Sequence, residues 1–113
     1  MTKTTVMAAV TVGGLAAAAG IMVRLPAAGN PGRVTIDNFS FGPTTLTVAP
    51  GTTVIWTNND DDPHTVVSAS DPKLMKSPAL DTGETFSYIF DKPGTYKYFC
   101  TVHPRMQGTV VVR

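Results

Sequence analysis

Three side chains able to hold a metal lie three residues apart in one short segment, Cys100-Thr101-Val102-His103-Pro104-Arg105-Met106. A thiolate, an imidazole and a thioether in that order suit a soft ion, copper above all. A trigonal set of two imidazoles and one thiolate, with a weak axial methionine, is the electron-transfer arrangement. Such a set requires a second histidine. The chain holds only two, and the other is His64, in Asp62-Pro63-His64-Thr65-Val66. Structural zinc stays open on the same donors, although a thioether is a poor zinc ligand. A cysteine nucleophile is poorly supported, since no acid partner or oxyanion motif accompanies Cys100 and His103.

Taken singly, each donor has an ordinary explanation. A cysteine at a strand end is usually an inert core residue, a histidine beside a proline usually sits in a loop, and a methionine usually packs. The spacing makes them a group. Period two puts Tyr96, Tyr98 and Cys100 on one side of a strand, so the sulfur points into the domain. Two residues then let the chain turn and bring His103 back from another direction. Pro104 restricts φ and removes a donor, which stiffens the return toward Met106. Met75, by contrast, has no partners in sequence and reads as a packing or surface residue.

Further matches accompany the donor segment in order: Phe39-Ser40-Phe41, Ala49-Pro50-Gly51-Thr52, Val54-Ile55-Trp56-Thr57-Asn58, Pro63-His64, and Gly94-Thr95-Tyr96 leading into Cys100. From about Gly32 to Arg113 the chain resembles the blue-copper proteins, or cupredoxins, and most of all their amicyanin subgroup. The resemblance implies a Greek-key β-sandwich and one copper ion cycling between Cu(I) and Cu(II). It implies ligands at His64, Cys100, His103 and Met106, and electron exchange with redox proteins through the exposed edge of His103. Pro63 and Pro104 would lie on the apolar patch around that edge.

The elements that must position these donors follow from composition and patterning. A chain of 113 residues with 42% hydrophobic and 15% charged residues implies one folded domain, and neither a disordered chain nor a nucleic-acid binder. The net charge of +1 hides a split: two of nine cationic residues, Lys3 and Arg24, precede Asn30, leaving seven against eight acidic ones. One cysteine excludes an internal disulfide, so a bound metal is expected to contribute to the stability of so small a domain.

Lys3 opens a leader in which Val6 to Val23 carries no charge and is rich in Ala and Gly. A charged start and an apolar run read as a secretory signal. At 18 residues the run also reaches the lower limit of a membrane span, so a retained anchor over residues 6–23 is the competing reading. Both place the domain outside the cytoplasm, in a periplasm or equivalent compartment. Residues 1–29 are therefore assigned to leader and linker, and 30–113 to a copper-binding domain expected to be monomeric.

Within that domain, short alternating runs between turn residues predict an all-β sandwich. Seven strands are expected, at 33–38, 44–48, 53–58, 64–68, 84–90, 95–100 and 108–113. Val34 with Ile36, Leu46 with Val48, Val54 with Trp56, and Phe86 with Tyr88 and Phe90 should each share a face. The stretch 70–83, broken by Pro72, Pro78 and Gly83, is the most loop-like. An eighth strand or one helical turn around Leu74 is expected there.

Two departures from the family bear on function. The residue after the first histidine is commonly Asn in the family, where it ties the two ligand loops together. Here it is Thr65, whose hydroxyl is expected to make a shorter link to Thr101 while its N–H points at the Cys100 sulfur. Amicyanins tend to carry an aromatic residue where this chain has Arg105. Asn59-Asp60-Asp61-Asp62 runs into the first ligand loop, so three carboxylates are expected either to rim the copper end and steer a cationic partner, or to form a solvated turn, or to pair with Arg105.

A one-electron carrier is the leading function class, and not an enzyme, since further copper centres need histidines that the chain lacks. A copper carrier or storage protein using the same ligands is the alternative. It would favour an exposed, exchangeable site with repeated Met or His clusters, which the sequence does not show.

Overall fold

The computed structural model describes residues 30–70 and 73–113. The leader and linker expected over 1–29 lie outside the described residues. Eight strands follow in order: β1 Gly32–Asp37, β2 Ser40–Gly42, β3 Thr45–Val48, β4 Thr52–Asn58, β5 Val67–Ser68, β6 Thr85–Phe90, β7 Gly94–Phe99 and β8 Gln107–Val112. They form two four-stranded sheets, ordered β2-β1-β4-β6 and β3-β8-β7-β5. β1 runs parallel to β4 and β3 parallel to β8; the other pairings are antiparallel.

Alternation places the core between the sheets as expected. Val34, Ile36, Val54, Trp56, Phe90, Tyr98, Val110 and Val112 are buried there, and Leu46, Val48, Phe86, Tyr88 and Tyr96 pack around them. Trp56 is wholly buried, with its ring 5.3 Å from Tyr98 and 5.8 Å from Phe86. Tyr98 lies across Gly108, its register partner on β8, so closely that a Cβ there would collide with the phenol ring. Glycine is needed at that position for this close approach.

Two expectations need correction. The eighth strand is β2, three residues after the first turn, and not a strand within 70–83. Among its described residues that stretch forms only isolated bridges, Val67 with Lys76 and His64 with Leu80, and no helical turn at Leu74. Its backbone is satisfied by β5 instead: Ser68 N–H donates to Met75 O, Met75 N–H to Ser68 Oγ, and Ser77 N–H to Val66 O. Met75 is thereby packed into the core. The strand expected over 64–68 is also shorter, because Thr65 turns its N–H toward Cys100 and leaves the ladder to Val67 and Ser68. β5 then pairs with β7, which brings the His64 segment beside the end of the strand that carries Cys100.

Candidate metal centre

His64, Cys100 and His103 converge at one end of the sandwich, their nearest donor atoms all within 4.8 Å of one another. Cys100 follows the last residue of β7 and is completely buried. His64 is buried too, with Nδ1 3.7 Å from the Cys100 sulfur. His103 is half-buried, and its Nδ1 faces inward without a hydrogen-bond partner. An unpartnered buried imidazole nitrogen beside a thiol and a second imidazole is a donor set that suits a metal cation. Met106 is buried in the same loop, where Cys100 N–H donates to Met106 O (3.1 Å) and Met106 N–H to His103 O (2.9 Å).

The electrostatics favour a thiolate. Burial alone would push the Cys100 thiol up. Hydrogen bonds from the backbone N–H groups of Thr65 and His103, together with the His64 ring beside the sulfur, outweigh it and lower the thiol from 9.0 to about 6. The thiolate is the form that binds metal. Thr65 makes both links expected of it. Its N–H donates to the sulfur at 3.4 Å, and its Oγ1 lies 2.8 Å from Thr101 Oγ1 while accepting from Thr101 N–H at 2.8 Å. A hydroxyl thus spans the two ligand loops where the family commonly uses an amide.

The acidic run divides. Asp61 and Asp62 are exposed, but Asp60 is buried, its carboxylate 2.8 Å from His64 Nε2. Asp60 therefore does not belong to a charged rim. The carboxyl is held below its ordinary value despite burial, by hydrogen bonds from Phe39 N–H, His64 and Asn38 N–H. Arg105 is exposed and pairs with no carboxylate among the described residues. Around the half-buried His103, Phe39, Val102, Pro104, Arg105 and Met106 line a shallow cleft of about 480 Å³.

Two residues at this end escaped sequence reasoning, Asp60 as the partner of His64 and Phe39 as a ring against both imidazoles. Phe39 stands edge-on to His64, centroids 5.6 Å apart, and to His103 at 5.1 Å. The only sequence signals were the four-residue spacing of Asp60 and His64 and the quoted Phe39-Ser40-Phe41 match.

Comparison with known proteins agrees with this architecture. The family model described as a cupredoxin-like domain matches residues 5–112. The Amicyanin-alpha of Methylorubrum extorquens is 40% identical, over 70% of this chain and 69% of its own length. A chloroplastic plastocyanin of Tetradesmus obliquus is 35% identical, over 99% and 90%. Among solved structures, a purple cupredoxin from Nitrosopumilus maritimus superposes with a TM-score of 0.69 and 35% identity, covering 73% of this chain and 99% of that one. A reduced Cu(I) form of an amicyanin variant gives 0.70 at 32% identity, covering 77% and 89%. With its two four-stranded sheets and the convergence of His64, Cys100 and His103 at one end, the chain belongs to the cupredoxin-like family.

Proposed function

We propose that this protein is a one-electron carrier in which His64, Cys100 and His103 hold a single copper ion, with Met106 as a weak fourth ligand. The observation that carries this reading is the convergence of two imidazoles and one thiol within 4.8 Å, with Cys100 poised as thiolate. Copper supplies the electron by cycling between Cu(I) and Cu(II). The chain supplies a fixed set of donors: Thr65 N–H and the Thr65–Thr101 link restrain the sulfur, and Asp60 restrains His64. A site that changes shape little between oxidation states exchanges electrons quickly.

Exchange is assigned to the His103 edge, because His64 and Cys100 are wholly buried while His103 reaches the cleft beside exposed Val102 and Pro104. The same burial argues against the copper carrier or storage reading, which needs donors open to exchange. Redox proteins are the expected partners. Export from the cytoplasm through the leader at 6–23 completes the reading, and the mass of the mature protein tests whether that leader is removed.

The decisive measurement is an optical spectrum after Cu(II) is added to the reduced chain. An intense visible absorption from sulfur-to-copper charge transfer is expected. A colourless complex of full copper content would overturn the assignment in favour of Cu(I) handling.

A further inference from the structure

Asp60 is joined to more of this end of the molecule than its place in a surface turn suggests. Its carboxylate accepts from Asn38 N–H at 2.6 Å and Phe39 N–H at 2.8 Å, and lies 2.8 Å from His64 Nε2. Its own backbone is pinned on both sides. Asp60 N–H donates to Asn58 Oδ1 at 2.9 Å, and Thr82 Oγ1 donates to Asp60 O at 2.5 Å. Asn58 in turn is wholly buried and donates through Nδ2 to Asp62 O and Leu80 O.

The turn at the other end of this link is unusual. Asn38 and Phe39 both adopt left-handed backbone, with φ of 51° and 57°. Asn tolerates this region, but a phenylalanine there is strained, and surrounding structure must offset the strain. Two consecutive N–H groups converging on one carboxylate provide that offset. The result is a ring that is nearly half exposed, at 46%, yet edge-on to both imidazoles at 87° and 77°.

We propose that Asp60 is the positioning residue of the centre: one carboxylate fixes Nδ1 of His64 as the nitrogen offered to the metal and holds the 38–39 turn so that Phe39 covers both imidazoles. The first half follows from hydrogen-bond chemistry. A carboxylate accepts only, so the Nε2 facing it carries the proton, and the lone pair is left on Nδ1, the atom nearest Cys100. A second carboxylate–imidazole contact of this kind is absent for His103 among the described residues, so the two ligands are controlled differently. The second half follows from the shared acceptor: releasing the carboxylate frees the Phe39 turn and His64 together.

This inference rests on the copper reading, and the two fail separately. The wild-type spectrum tests the reading; the imidazole tautomer and the variants test the inference. In the full-length wild-type protein without metal, nitrogen-15 NMR is expected to show His64 as a single Nε2–H tautomer. An Nδ1–H form would overturn the proposal before any substitution is made. In Asp60→Asn, a tautomer mixture is expected, with Cu(II) affinity lowered about 10–100-fold. Its reduction potential should rise, because a negative charge that favours Cu(II) is gone.

Phe39→Ala, a surface change, should keep the tautomer. It should lower the potential, because water reaching the imidazoles favours the more highly charged ion. In the double variant the Phe39→Ala shift should largely vanish, since the ring is no longer held. Independent, additive shifts would show that Asp60 does not hold the ring, and an unchanged tautomer and potential in Asp60→Asn would end the proposal.

Discussion

The two loops that meet at the metal centre are built in opposite ways. In the first, from Asn58 to Thr65, each buried polar side chain is engaged. Asn58 bonds Asp60, Asp62 and Leu80, Asp60 bonds Asn38, Phe39 and His64, and the backbone of His64 pairs in both directions with Leu80. In the second, from Cys100 to Met106, two backbone bonds close the turn, and Thr101, Val102, Pro104 and Arg105 are exposed. One loop holds His64 inside a hydrogen-bonded frame; the other presents His103 to solvent. On the proposed function the contrast would divide labour: the buried loop would set geometry, and the exposed one would meet the redox partner.

That division can be broken or sharpened by substitution. The largest effect is expected from Cys100→Ser, the residue common to both functions. The visible absorption should vanish altogether, and strong colour surviving in this variant would refute the thiolate assignment. Next come the two histidines. His103→Gly should regain colour when imidazole is added, because the vacated position opens on the cleft. His64→Gly should not, because its position is sealed behind Phe39 and Asp60. Equal recovery in both, followed by absorption spectroscopy, would erase the distinction between the loops.

Met106→Leu should retain copper and raise the reduction potential in a voltammetric measurement, since a weak donor to Cu(II) is lost while the loop still packs. A smaller effect is expected where the loops are joined. Thr65→Val removes the Oγ1 that accepts from Thr101 N–H, at a cost of about 0.5–1.5 kcal/mol for a partly buried hydrogen bond. Denaturant titration of the metal-free protein reads this directly. A loss no greater than for an exposed threonine would show that the hydroxyl link is not structural.

A further signal is in pH. The Cys100 thiol is lower in the folded protein, at about 6, than its ordinary 9.0. The folded state therefore gains stability as pH rises from about 6 to 9, and loses it as pH falls through about 6. Metal-free stability measured across that window should climb, and should stay flat in Cys100→Ser.

How much of this could be read beforehand depends on how local each cause is. The strands were legible because one residue in two faces the core: Val34 and Ile36, Val54 and Trp56, Tyr98 and Cys100 announce their side by period alone. The donors were legible because three of them share one short loop. β2 was missed since three residues with only Phe41 buried make no period. The 70–83 stretch was misjudged because its backbone is satisfied by Ser68, Ser77 and β5, partners that no local pattern reveals. Asp60 was grouped with Asp61 and Asp62 for the same reason. Three adjacent carboxylates look alike until Asn38 and Phe39, more than twenty residues earlier, arrive beside one of them.

The order of events during synthesis follows from where β8 lies. It begins one residue after Met106, and it is the strand that joins β3 to β7. Until Val110 and Val112 have paired, β3 is not joined to β7, and the turn that carries His103 is held only by its own two backbone bonds. On the proposed copper reading, the chain would hold its ion well only after β8 has paired, so folding would come before tight metal binding.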